Sequence, residues 1–163
     1  MAASRVAASL ALAAILVGCG LPGQARFTVG PCEPAVAGGF EDLAWTVDPD
    51  PVLEPGPAGA WDAVDALNPS VVRFRGEFWN FYSGFDGRVW RTGLATSPDA
   101  VHWTKSAGGP VLAPDPASWE GGYIAANGAT VERGGELLHW YQAGPRQKTS
   151  IGLARAADGR GWG

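Results

Sequence analysis

Between residues 69 and 105 apolar and polar positions alternate with a period of two, interrupted by short stretches rich in glycine and polar residues. That rhythm predicts strands: "PSVVRF" (69–74) as a first, Arg75-Gly76 as a tight turn, "EFWNFYS" (77–83) as a second, "TGLATS" (92–97) as a third and "VHWTK" (101–105) as a fourth. The pattern returns downstream as "GATVER" (128–133), a Gly134-Gly135 turn, "ELLHWYQ" (136–142) and "IGLARA" (151–156).

The return is a repeat at a spacing of 59 residues, and it needs no gap. Asn68 meets Asn127, Val72 meets Val131, Gly76 meets Gly135 and Tyr82 meets Tyr141. Gly93, Leu94, Ala95, Asp99 and Trp103 then meet Gly152, Leu153, Ala154, Asp158 and Trp162. Upstream, "PVLEP" (51–55) matches "PVLAP" (110–114), and Trp61-Asp62 matches Trp119-Glu120 with a one-residue slip. Four short strands per unit, repeated, predict an all-β fold of four-stranded antiparallel blades, a β-propeller. The units run from about 46 to 104 and from 105 to 163, so about two and a half blades are present of an expected five. Propellers close with four or more blades. The chain is therefore expected to be part of a longer propeller, the favoured reading, or to be completed by other subunits. Letters shared by both copies are expected to be architectural: Gly93 and Gly152 for close approach of blades, Leu94 and Leu153 between blades, Asp99 and Asp158 at the turn into the fourth strand, Trp103 and Trp162 in packing. Function is expected where the copies differ.

Composition sharpens the picture. The 163 residues are 46% hydrophobic, with 24 Gly, 13 Pro and eight Trp against a single Met, which suits a globular β domain. Twelve basic and 16 acidic residues give a net charge of -4, with no basic cluster, so nucleic acid is not an expected partner. Residues 1–18 form a separate segment: Arg5 supplies a positive start, and Val6–Val17 is an apolar run too short to span a bilayer comfortably. It predicts a secretion signal. "LVGC" (16–19) resembles the lipobox of bacterial lipoproteins, which makes Cys19 the expected lipidation site and residues 19–39 a lipidated N-terminus and linker ahead of a partial propeller over 40–163. The expected location is exported and lipid-anchored to the bacterial membrane, facing the periplasm or the cell surface, with the membrane reached only through that lipid. An ordinary signal peptide containing Cys19, or a Cys19–Cys32 bridge, are the competing readings.

The phrases "NPSVVRFRGEFWNFYSGFDG", "GLATSPDAVHW", "PVLAPDPASWE" and "GLARAADGRGW" resemble the five-bladed β-propeller glycoside hydrolases, a group that includes arabinanases, β-xylosidases, levanases and invertases. The resemblance covers about residues 45–162. It implies carboxylates from different blades converging on a central pocket, one activating water or attacking the sugar and another protonating the leaving oxygen. The family usually starts an early first strand with Asp-Pro, the Asp acting as base. Here that dipeptide is Asn68-Pro69, and an amide takes up no proton at neutral pH.

Up-and-down topology puts the start of the first strand and the loop between the second and third at one end. The candidate face is thus 65–70, 85–91, 121–127 and 145–150. Asp65 has no acidic counterpart in the other copy and is the first candidate for a catalytic or sugar-binding carboxylate; a solvent-facing loop Asp is its bland reading. Glu120 is a candidate acid, although Asp62 at the matching place favours a structural turn. Asp86, Arg88 and Trp90 occupy the variable loop, where Trp90, matched by Thr149, would stack on a sugar face or pack the loop edge. Asn68 and Asn127 suit sugar hydroxyls or a strand-start role. Arg146, beside Gln147 and Lys148, would read a hydroxyl or carboxylate, or lie in a solvated turn. His102 and His139 are isolated and lack ligand spacing, so no metal and no cofactor are expected. Three functions follow: a glycoside hydrolase acting on an oligo- or polysaccharide, a non-catalytic carbohydrate-binding propeller, and a protein-interaction propeller.

Overall fold

The structure is a computed structural model that describes residues 46–162. The secretion signal, Cys19 and the linker to residue 39 lie outside the described residues. Among the described residues every regular element is a strand: β1 (Asp65–Phe74), β2 (Glu77–Phe85), β3 (Trp90–Ser97), β4 (Thr104–Lys105), β5 (Ile124–Arg133), β6 (Glu136–Gly144) and β7 (Ser150–Ala156). All neighbours along β1-β2-β3-β4 and along β5-β6-β7 are antiparallel, giving two propeller blades related by the repeat.

Local chemistry accounts for the hairpins. Phe74 pairs with Glu77 across a two-residue loop in which Arg75 and Gly76 both have positive φ (51° and 88°). Gly134 and Gly135 repeat this at 64° and 85° between the paired Arg133 and Glu136. Two successive left-handed residues match the twist of the flanking strands. The expected fourth strand over 101–105 is reduced to β4, two residues pairing with Ala95 and Thr96. Asp99 explains the loss: its Oδ1 accepts from the Val101 and His102 amides, and Ser97 Oγ accepts from Ala100, so these donors are held in a turn instead of a ladder.

Strand pairing, a strap and an apolar seam join the blades, besides side-chain hydrogen bonds such as Thr92 Oγ1 to the Ala125 carbonyl and the Thr130 amide to Ser70 Oγ. β3 and β5 pair in parallel over Trp90–Ile124 and Arg91–Ala125. The "PVLAP" segment is a strap, with Val111 and Leu112 amides donating to the Thr92 carbonyl (2.8 and 3.2 Å) and Thr92 N donating to Leu112 (2.9 Å). Between the sheets lies an apolar seam of Phe74, Trp79, Phe81 and Leu94 from the first blade with Leu137 from the second. Trp162 closes it, edge-on to Phe81 at 5.3 Å. Each such buried side chain contributes on the order of 2 kcal/mol. Leu94 therefore fills the seam as expected. Gly93 and Gly152 differ from expectation, because the approach they allow is within a blade. A Cβ on either would stand about 2.6 Å from the ring of the tyrosine facing it across the strand pair, Tyr82 or Tyr141.

Candidate functional site

The segments that the up-and-down topology groups together do share one end. Asp65 pairs with Phe85, Phe85 with Trp90, and Ile124 with Gly144, so the starts of β1 and β5 lie beside the β2–β3 and β6–β7 loops. At this end each inner strand carries a bulge, between Leu67 and Ser70 in β1 and between Ala126 and Ala129 in β5. The bulged residues are Asn68 and Asn127, with φ of 51° and 54°. Asparagine tolerates this left-handed conformation better than most residues, and a bulge re-aims its side chain out of the regular strand alternation.

The two amides meet. Asn68 Nδ2 donates to Asn127 Oδ1 at 2.6 Å. Ser83 supports the same oxygen at 3.1 Å while its Oγ accepts the Asn127 amide at 2.8 Å. Asn127 Nδ2 donates to Gln142 Oε1 (2.9 Å), and Gln142 Nε2 to Thr149 Oγ1 (2.8 Å). The result is an exposed row of neutral donors and acceptors, Asn68–Asn127–Gln142–Thr149, locked in rotamer by its own bonds. Such groups match vicinal hydroxyls, which also both donate and accept. Asn68 and Asn127 are thus brought together. Ser83, Gln142 and Thr149 were missed by sequence reasoning, although the signal was present: Ser83 and Gln142 are counterparts that differ, as are Trp90 and Thr149.

Asp65 begins β1, half-buried, on the same end. Three residues of extended chain separate it from Asn68, about 10 Å. Glu120 is held in a clasp. It is buried, its Oε1 accepts a short hydrogen bond from Tyr141 Oη, and its Oε2 accepts from the Asp115 amide at 2.7 Å. Asp62 makes the equivalent clasp, accepting from Tyr82 Oη at 2.9 Å and from Lys105 Nζ at 2.6 Å. The extra methylene of Glu120 accompanies the one-residue slip between the copies. Burial, then the hydrogen bond to the carboxylate, pushes both tyrosine hydroxyls far up from their ordinary range.

Asp86 caps its own loop: Oδ1 accepts from the Arg88 and Val89 amides, both at 2.8 Å, and Oδ2 pairs with Arg91 at 2.7 Å. Burial alone would raise this carboxyl; the Arg91 hydrogen bond, the two amides and the Arg91 charge outweigh it and bring it down to about 2. Arg88 is exposed at the loop tip. Trp90 stacks on Phe85 with centroids 4.4 Å apart and planes at 13°, so one ring face is engaged in packing the strand ends. The Arg146 guanidinium lies 4.7 Å over the Tyr123 ring, which fixes its stem against the 121–127 segment.

No protein-family model matches the chain, and no curated protein matches it. Solved structures do. A protein assigned as a glycoside hydrolase from Parabacteroides distasonis superposes with a TM-score of 0.63 at 21% identity, over 70% of this chain and 38% of its own. One from Bacteroides ovatus gives 0.62 at 25%, over 70% and 37%. A structure from the family 130 mannoside phosphorylases, described as containing glycoside hydrolases that target β-1,2 mannosidic linkages in Candida mannan, gives 0.61 at 22%, over 70% and 38%. The fold is that of the five-bladed propeller glycoside hydrolases. The chain spans less than two fifths of the length of each of these three structures.

Proposed function

We propose that the protein processes glycosides, with an oligo- or polysaccharide lying along the Asn68–Asn127–Gln142–Thr149 row. The observation that carries this reading is the pair of matched bulges, which turn two amides out of their strands toward each other at one end of a glycoside-hydrolase-like fold. The row holds hydroxyls and orients the sugar. Asp65 is the group proposed to take a proton from water. Glu120 is the weaker candidate for the acid, since both its oxygens already accept hydrogen bonds. Arg88 and Arg146, on the β2–β3 and β6–β7 loops of the same end, would contact hydroxyls or carboxylates of the ligand, and Trp90 would offer its remaining face. Export and anchoring through a lipid on Cys19 belong to the same proposal and are tested by mass spectrometry of the mature N-terminus.

One observation favours a carbohydrate-binding role without turnover: the residues that form the row are all neutral, including the position where the resembled family places its base. Incubation with arabinan, xylan, fructan and mannoside substrates, read by release of reducing sugar or aglycone and in parallel by calorimetric binding, separates the readings. Hydrolysis that disappears in Asp65→Asn while binding survives supports catalysis. Binding without product, lost in Asn127→Ala, supports the second reading. Absence of both overturns the carbohydrate proposal and leaves the protein-interaction role.

A further inference from the structure

Asparagine occurs three times in the chain, at 68, 80 and 127, and the residue that follows differs each time: Pro69, Phe81 and Gly128. That neighbour decides whether the side-chain amide can react with its own backbone. In the reaction the following backbone nitrogen attacks the asparagine Cγ, so it must carry a hydrogen to give up and must reach the carbonyl unobstructed. Pro69 has no such hydrogen, and Asn80 is 5% exposed and followed by a bulky ring. Gly128 has the hydrogen and no side chain. Packing keeps it so, since a Cβ at Gly128 would run into the His139 ring.

The fold adds to what the dipeptide offers. Asn127 is exposed and left-handed, with φ of 54°, and it lies with Gly128 where the β5–β6 register breaks. Its Oδ1 receives two donors, Asn68 Nδ2 at 2.6 Å and Ser83 Oγ at 3.1 Å. These donors meet the atom on which negative charge develops when Cγ becomes tetrahedral, so they form an oxyanion hole around the amide itself. Ser83 Oγ also accepts from the Asn127 backbone amide at 2.8 Å, and Gln142 Oε1 accepts from Asn127 Nδ2 at 2.9 Å. The amide is thereby held in one orientation against the donors that polarise it.

We propose that Asn127 is a site of self-modification, deamidating in the folded protein. The Gly128 nitrogen forms a bond to the Asn127 Cγ, the bond from Cγ to Nδ2 breaks, and Nδ2 leaves as ammonia, taking the proton that the Gly128 nitrogen gives up. Water then opens the cyclic imide, leaving aspartate or isoaspartate at position 127. One water enters, one ammonia leaves, and nothing is oxidised or reduced. The product is a carboxylate, which accepts hydrogen bonds and donates none. Gln142 Oε1 thus loses its donor, and the middle of the Asn68–Asn127–Gln142–Thr149 row gains a negative charge. A row that is neutral in the new protein becomes acidic with age, whatever ligand lies along it.

The test is incubation of the full chain in mildly alkaline buffer, folded and in parallel unfolded in urea, followed by peptide mapping, intact mass, isoelectric focusing and an ammonia assay. Far-UV circular dichroism is the folding control. The folded wild type is expected to gain about 1 Da and one negative charge, to release ammonia in proportion, and to carry the change at Asn127 with Asn68 and Asn80 intact. Its rate rises with pH. Asn68→Ala removes the shorter of the two donors from an exposed position and is expected to slow the folded reaction at least about tenfold with an unchanged spectrum. An Asn127 that stays intact in the folded chain overturns the proposal, whatever the unfolded chain does. Modification in the folded chain that proceeds as fast or faster in Asn68→Ala also overturns it, because the hydrogen bonds to Oδ1 would then be idle or protective. So does modification of Asn68 or Asn80 at a rate equal to that of Asn127.

Discussion

Acidification from pH 6.5 to 4 is expected to destabilise this domain through His139. The ring is 1% exposed, stacked parallel to Tyr141 and packed against Phe81 and Trp162 in the seam. Its Nδ1 has Thr130 Oγ1 at 2.8 Å, and Nε2 has no partner, so a second ring proton would be a buried, unsatisfied charge-bearing donor. Burial brings its pKa down from 6.5 to about 4. Between these values the unfolded chain binds a proton that the native state refuses, so stability is complete above pH 6.5 and declines as pH falls to about 4. The full difference is about 3 kcal/mol at about 1.4 kcal/mol per pH unit, a sizeable share of a domain's typical 5–15 kcal/mol. Urea unfolding followed by tryptophan fluorescence, at fixed protein concentration and pH 4.5 to 7.5, measures it in the wild type and in His139→Gln, whose side chain does not titrate. The variant should show a much flatter pH profile across this window. Asp86, lowered to about 2, and Asp99 and Asp158, also lowered, act below pH 4, where their stabilisation is lost. His102, raised by Asp99, has the opposite sign and acts above pH 6.5. Parallel profiles for wild type and His139→Gln would refute the reasoning.

The clasp should respond unequally in its two copies. Tyr141→Phe leaves buried Glu120 with one hydrogen bond fewer and is expected to cost about 1–3 kcal/mol, whereas Tyr82→Phe costs less because Lys105 still holds Asp62; denaturation midpoints check the order. Gly128→Ala would drive a Cβ into the His139 ring, well inside van der Waals contact, and a loss of about 1–3 kcal/mol is expected. The double variant with His139→Ala should recover part of that loss, as read by a double-mutant cycle.

Strand identity was legible from aromatic and β-branched runs bounded by tight turns; β7 alternates in burial letter by letter, whereas β2 is buried on both faces from Trp79 to Gly84 and β6 over most of its length. The shortened β4 was not legible as such, since Val101, His102 and Trp103 have strand-like character while the hydrogen bonds of Asp99 and Ser97 decide the backbone. Glycine 93 shows a second limit. Repetition marked it as architectural, but that its missing side chain makes room for Tyr82 depends on strand register. At the site, repetition of Asn68 and Asn127 suggested either a structural or a binding role, and they have both features: a bulge in the strand and an exposed amide. Their direct contact arises between residues 59 apart, and no local pattern announces it.

The tyrosine–carboxylate clasps join residues only 20 and 21 positions apart, Asp62 to Tyr82 and Glu120 to Tyr141. Each module is thereby fastened by a short-range tie of its own, separate from the seam it shares with its neighbour. A chain so tied should nucleate one module at a time, and under mechanical tension it should yield in discrete steps of about one repeat, the seam parting before either clasp.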